Sequence, residues 1–158
     1  MSVDRRYWDS DAFLGWLLNE QDKAPKCEGV LKAAEAGQLQ IVTSALTLTE
    51  VIRLKGKPRL PRTEEDRIRA FFEHDWIVVR DVDRFIAEDA RELIWSRNVQ
   101  PKDALHLATA LSLRLSQFDT FDQTLHKLSG KLGNPPLTIG PPDLPFQPEL
   151  DGLDENKR

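Results

Sequence analysis

The chain has 158 residues, 40% of them hydrophobic and 30% charged, a size and mixture suited to one domain with a self-sufficient core. Its 22 Lys+Arg against 26 Asp+Glu give a net charge of −4, which excludes the polycationic class of nucleic-acid packaging proteins. One cysteine, Cys27, and three scattered histidines, His74, His106 and His126, exclude an internal disulfide and make no Cys/His zinc site. The first residues are charged from Asp4 to Arg6, and no apolar run suits a signal peptide or a membrane span. The expectation is a soluble, reduced, cytoplasmic protein.

In chain order, Tyr7-Trp8 and the polar knot Asp9-Ser10-Asp11 predict a short strand ending near Asp9. A helix follows, capped by Ser10 or Asp11, with Phe13, Leu14, Leu17 and Leu18 at helical spacing. A second helix is predicted from Pro25 to Gly37, using proline in the first turn and glycine as the stop. Leu39 to Val42 reads as a strand. Thr43-Ser44 opens a helix with Leu46, Leu48, Val51, Ile52 and Leu54, which fades at Gly56 and must end by Pro58. Thr63 is the predicted cap of a further helix whose first turn is acidic, and Trp76 to Val79 is a third strand. Helices follow over about Asp83 to Ser96 and from Pro101 through Leu115, then a strand near Ser116 to Thr120 and a short helix capped by Asp122. Strands alternating with helices imply α/β architecture, a parallel sheet covered by helices.

From Asn134 the composition changes: six of the ten prolines lie between 135 and 148, and an acidic stretch runs from Glu149 to Glu155. The predicted organisation is a folded domain over 1–133 and an extended or disordered tail over 134–158. Residues 141–158 carry five acids against two bases, a net of −3, which leaves the rest of the chain near −1.

Ligands of open parallel sheets bind beyond the carboxyl ends of the strands. Four acids fall at or near that edge: Asp9 after the first strand, Glu50 on the helix after the second, Asp103 in the first turn of the Pro101 helix, and Asp122 after the fourth strand. Taken singly, each reads as a helix cap, a first-turn acid or a solvated helix residue. Taken together, they are carboxylates in one cleft, which repel unless they share protons or bind a hard cation such as Mg²⁺ or Mn²⁺.

These residues carry a resemblance. Segment 7–14, Tyr-Trp-Asp-Ser-Asp-Ala-Phe-Leu, resembles the opening strand and first aspartate of the PIN-domain family. Segment 41–51 resembles its second motif, with an early serine and a glutamate on the helix, and 101–110 its third, an aspartate followed by small residues. Thr-Phe-Asp, 120–122, is similar to the fourth, so the motifs come in family order across about residues 4–130. The resemblance implies a PIN-like α/β/α sandwich with a short central parallel sheet of four to five strands. It also implies a Mg²⁺- or Mn²⁺-dependent endoribonuclease, of the kind found as VapC-type toxins in toxin–antitoxin pairs. Carried over residue by residue, Asp9, Glu50, Asp103 and Asp122 are the catalytic, metal-binding quartet, with Ser10 and Thr120 as hydroxyl neighbours orienting water or phosphate. The implied partners are an RNA substrate, an antitoxin and a second copy of the chain in a homodimer.

Asp11 and Asp119 are alternative members of the acidic set. Asp9-Ser10-Asp11 also resembles the D-x-D of haloacid-dehalogenase phosphatases, but Phe13 stands where those expect threonine. His106, three residues after Asp103, shares its helical face and reads as a packing or supporting residue more readily than as a base. From Arg53 to Arg69, seven bases (Arg53, Lys55, Lys57, Arg59, Arg62, Arg67, Arg69) oppose three acids, a local +4 beside Glu50 that suits either phosphate steering or a solvated loop. Lys102 is a further phosphate candidate, whereas Trp8, Trp16, Trp76 and Trp95 sit in apolar patterns that read as core. The rival function is a catalytically weak PIN-fold module that binds RNA or protein.

Overall fold

The structure is a computed structural model that describes residues 3–52 and 59–143. Its five strands are β1 (Asp4–Trp8), β2 (Leu39–Ser44), β3 (Ile77–Arg80), β4 (Gln117–Asp119) and β5 (Thr138–Gly140). They form one wholly parallel sheet in the order β3-β2-β1-β4-β5. The helices are α1 (Ser10–Leu17), α2 (Ala24–Glu35), α3 (Ala45–Glu50), α4 (Glu65–Phe72), α5 (Arg84–Arg97), α6 (Pro101–Ser112) and α7 (Gln123–His126). None of the described helices is long and apolar enough to cross a membrane.

The pleat alternation of the central strands divides the core in two. Tyr7, Val42 and Phe118 point to one face, where α5, α6 and α7 bring Ile86, Ala90, Leu107, Ala108 and Leu125. Trp8 and Ile41 point to the other, packing with Phe13, Leu17, Cys27, Val30 and Ile68 from α1, α2 and α4. The sheet is therefore buried on both faces, as the alternation of strands and helices predicts.

Several local expectations shift. Neither Ser10 nor Asp11 caps α1: Asp9 does, with an extended backbone and a side chain that accepts from the Ala12 amide at 3.2 Å. Thr63 caps nothing, because it lies inside a 3-10 turn, Arg62–Glu64, that leads into α4. The helix after β2 stops at Glu50, and the continuation expected through Leu54 to Gly56 falls largely outside the described residues. Trp8 is fully buried, but Trp95 is 76% exposed, so its apolar neighbourhood in sequence does not place it in the core.

The largest correction is at the carboxyl end. Residues 138–140 form β5, paired with β4 in the register Gln117 to Thr138, Phe118 to Ile139 and Asp119 to Gly140. Leu137 is fully buried and Ile139 nearly so, both in the α5–α6 core. The turn that brings the chain back uses Gly133 at φ +84°, where a Cβ would stand 2.7 Å from Leu111 Cδ2. The boundary at 133 thus cuts through the domain, which extends at least to Gly140. The tail from 144 onward lies outside the described residues.

Candidate functional site

The strand order reverses at β1, which has β2 on one side and β4 on the other. In open parallel sheets such a reversal leaves a crevice beyond the carboxyl ends of the two flanking strands. Asp9 directly follows β1, and Asp122 follows β4 as the N-cap of α7. Asp11 lies in the first turn of α1, Asp103 in the first turn of α6, and Glu50 ends α3.

Electrostatics ties these five carboxyl groups to one another. Burial pushes the Asp9 carboxyl well above the ordinary range, and the negative charge and hydrogen bonding of Asp11 push it further. Burial likewise raises Asp103, reinforced by Asp122, Asp11 and Glu50 and opposed by His106. Glu50 is lowered: burial pulls it upward, but His106, the Ser10 hydroxyl and the Lys102 charge together outweigh that. No Lys or Arg forms a salt bridge with Asp9, Asp11, Glu50, Asp103 or Asp122 among the described residues. These acids are an oxygen-rich donor set without a Lys or Arg ion-pair partner among the described residues, the chemistry that a hard divalent cation matches.

In the described residues no three acids, histidines or cysteines converge as a ready-made metal cage, and several of the carboxylates are engaged by local donors. Glu50 Oε1 is 2.7 Å from His106 Nε2, and His106 Nδ1 is 2.6 Å from the Tyr7 hydroxyl. Asp122 Oδ1 accepts from the Thr124 amide at 2.9 Å and from the Thr124 hydroxyl at 2.6 Å. Asp11 Oδ1 accepts from the Thr120 hydroxyl at 3.1 Å and the Phe121 amide at 3.0 Å. The Thr120 oxygen in turn accepts from the Asp122 amide at 3.0 Å. Thr120 therefore ties the turn after β4 to Asp11, its hydroxyl donating to that carboxylate.

Asp119 is not part of this cluster. It is fully buried on the α1–α2 face, 3.3 Å from Arg6 Nη1 and 2.8 Å from Trp8 Nε1. Burial raises its carboxyl to about 6, against the lowering effects of Arg6, Gln117 and Trp8. Arg6 also donates to the Asp143 carbonyl at 2.9 Å, so this ion pair fastens the segment after β5. Cys27 is buried as well, its thiol pushed up to about 12 first by burial and then by Asp119 and Asp11. A thiol in that state is no nucleophile.

The basic stretch is divided. Arg67 pairs with Glu64 and Arg69 with Glu65, and both are occupied locally. Arg59 and Arg62 are exposed, while Arg53, Lys55 and Lys57 lie outside the described residues. Sequence reasoning missed Tyr7 and Thr43. Tyr7 reads as one more apolar strand residue. Thr43 donates to the Trp8 carbonyl at 2.7 Å and shares a 2.7 Å hydrogen bond with Thr47, which fixes the end of β1 just before Asp9.

A five-stranded parallel sheet with helices on both faces and acids at its reversal point defines an α/β/α domain with an anionic crevice. A family model described as PIN domain matches residues 6–131, and the chain belongs to that family. The D-x-D phosphatase reading is thereby set aside. Among solved structures, the chain resembles a toxin–antitoxin complex from Klebsiella pneumoniae, with a TM-score of 0.55 and 20% identity, covering 79% of this chain and 91% of that one. It also resembles VapBC2 from Rickettsia felis bound to a DNA fragment from their promoter, with a TM-score of 0.58 and 12% identity, covering 85% and 96%. At these identities the likeness concerns the fold. No curated protein matches the sequence.

Proposed function

We propose that this protein is a divalent-cation-dependent endoribonuclease, the toxin of a toxin–antitoxin pair. The observation that carries the reading is that Asp9, directly after β1 where the strand order reverses, is raised by burial and by Asp11, and Asp103 by burial and by Asp122, Asp11 and Glu50. The antitoxin partner is supported by the fold shared with toxin–antitoxin complexes. A homodimer and a cytoplasmic location complete the proposal.

Asp9, Glu50, Asp103 and Asp122 would hold Mg²⁺ or Mn²⁺, with Asp11 beside Asp9. When bound, such an ion supplies a Lewis acid for a phosphate oxygen and lowers the pKa of a water. The chain's own part is to hold that donor set in place. Asp9 is fixed as a helix cap, Glu50 by His106, and Asp122 by Thr124 and Thr120, while Asp103 lies in the first turn of α6. The reaction adds one water across a phosphodiester, breaking the bond from phosphorus to the 3′ oxygen and leaving a 5′-phosphate and a 3′-hydroxyl. No protein nucleophile is needed, consistent with a buried, protonated Cys27.

The test is cleavage of a panel of single-stranded and structured RNAs in Mg²⁺, in Mn²⁺ and with EDTA. The expected result is metal-dependent cuts ending in 5′-phosphate, abolished by EDTA and by Asp103→Asn. Equal cleavage by wild type and a folded Asp103→Asn variant would show that the activity does not come from this site. Calorimetric binding of metal without cleavage of any RNA would favour the binding-module reading.

A further inference from the structure

We propose that His106, oriented by Tyr7, is a positioning residue that sets the Glu50 carboxylate for cation binding. The proposal deepens the nuclease reading and rests on it. Glu50 is the last residue of a six-residue helix and is followed by a turn. Helices that short are not rigid by themselves, and a glutamate side chain adds three free torsions. Something outside α3 must therefore fix the carboxylate, and the bond to His106 does so.

His106 is suited to that task. It is 2% exposed on α6, one turn after Asp103, so one helix supplies an acid of the cluster and the group that fixes another. Both ring nitrogens are used inside the protein. The proton positions follow from the partners. An ionised Glu50 only accepts, so Nε2 carries the hydrogen, and in neutral imidazole Nδ1 is then bare and accepts the Tyr7 O–H. Tyr7 is fully buried on β1, its ring stacked on Phe118 of β4 at 4.9 Å and edge-on to His106 at 5.7 Å. The chain Tyr7 O–H to Nδ1, Nε2–H to Glu50, thus carries the rigidity of the two central strands to the carboxylate. Groups that hydrogen-bond a metal's protein ligands commonly change metal affinity by about 10–100-fold when removed.

The experiment is calorimetric titration of the full chain with Mn²⁺ and with Mg²⁺, together with ¹⁵N NMR of the His106 ring in the metal-free protein. Wild type is compared with His106→Leu, His106→Gln, Tyr7→Phe and the Tyr7→Phe/His106→Leu pair. Expected are an Nε2–H tautomer, an affinity loss of about 10-fold or more in His106→Leu, and recovery of most of it in His106→Gln, whose amide restores a donor. Tyr7→Phe should shift the His106 ring resonances and weaken binding, with no further loss when added to His106→Leu. A merely structural histidine would lower melting temperature and leave metal affinity within about twofold, and that result overturns the proposal alone. If wild type binds neither ion, the nuclease reading fails and this role for His106 fails with it. Should His106→Leu not fold, Tyr7→Phe decides: it keeps the stacked ring, and unchanged affinity and unchanged ring resonances would overturn the proposal.

Discussion

Asp9→Asn should raise the melting temperature of the metal-free protein while reducing RNA cleavage by about a thousand-fold, equivalent to roughly 4 kcal/mol of barrier. The two effects have one cause. Asp9 is buried and next to Asp11, so its negative charge is disfavoured in the folded protein. Asparagine removes that charge and still caps a helix, so the hydrogen bond to the Ala12 amide survives. Each kcal/mol gained raises the melting temperature of a domain this size by about 2–4 °C. The pH dependence has a definite sign. A carboxyl raised on folding contributes stability that is fully present below its unfolded pKa and is lost as pH rises through the folded value. Asparagine does not titrate, so its advantage over aspartate should grow from acidic to neutral pH. Excess Mg²⁺ should reverse the order, because a ligand that binds only the folded wild type stabilises it. Thermal melts at several pH values, with and without Mg²⁺, check this. A variant less stable than wild type at every pH without metal would contradict it.

A chain ending at residue 133 should fail to fold, whereas one ending at 143 should fold as the full chain does. The shorter chain loses β5 with Leu137 and Ile139, each worth about 1.5–3 kcal/mol of burial. It also loses backbone bonds that close the edge of the sheet: the Thr120 amide to the Gly140 carbonyl, the Thr138 amide to Ser116 and the Gly130 amide to Leu137. Phe118 and Leu132 would then lose neighbours from their shared core. Against a total stability of about 5–15 kcal/mol for an ordinary domain, these losses are decisive. Circular dichroism and urea unfolding of both truncations provide the check. A cooperative transition in the shorter chain with an unchanged midpoint would contradict the placement of β5.

The candidate acids could be proposed from the sequence because their spacing relative to strands and helices is local information. Asp9 and Asp122 follow strand signals directly, and Asp103 follows a proline that starts a helix. The nearness of the strand ends that precede Asp9 and Asp122 is set by the strand order, which brings β1 beside β4 across more than a hundred residues. β5 was illegible for a different reason. Three residues, Thr-Ile-Gly, show no periodicity, and the flanking prolines Pro135, Pro136, Pro141 and Pro142 dominate the local composition. An edge strand needs only one row of backbone partners, so prolines on either side of it do no harm. The Arg6–Asp119 pair, separated by 113 residues, left no local trace at all. His106 was visible as a neighbour of Asp103 on one helical face, but its partners Tyr7 and Glu50 required the tertiary fold. Trp95 failed in the opposite direction, since apolar neighbours along a helix do not establish which face is covered.

The most direct test of the central claim is diffraction from crystals soaked in Mn²⁺, using the anomalous signal of manganese to locate the ion. The account predicts a peak in the crevice beyond β1 and β4, with oxygen ligands from Asp9 and Asp103 at about 2.0–2.3 Å and the peak lost in Asp9→Asn crystals. A peak elsewhere on the surface, or none in this crevice at saturating Mn²⁺, would contradict it.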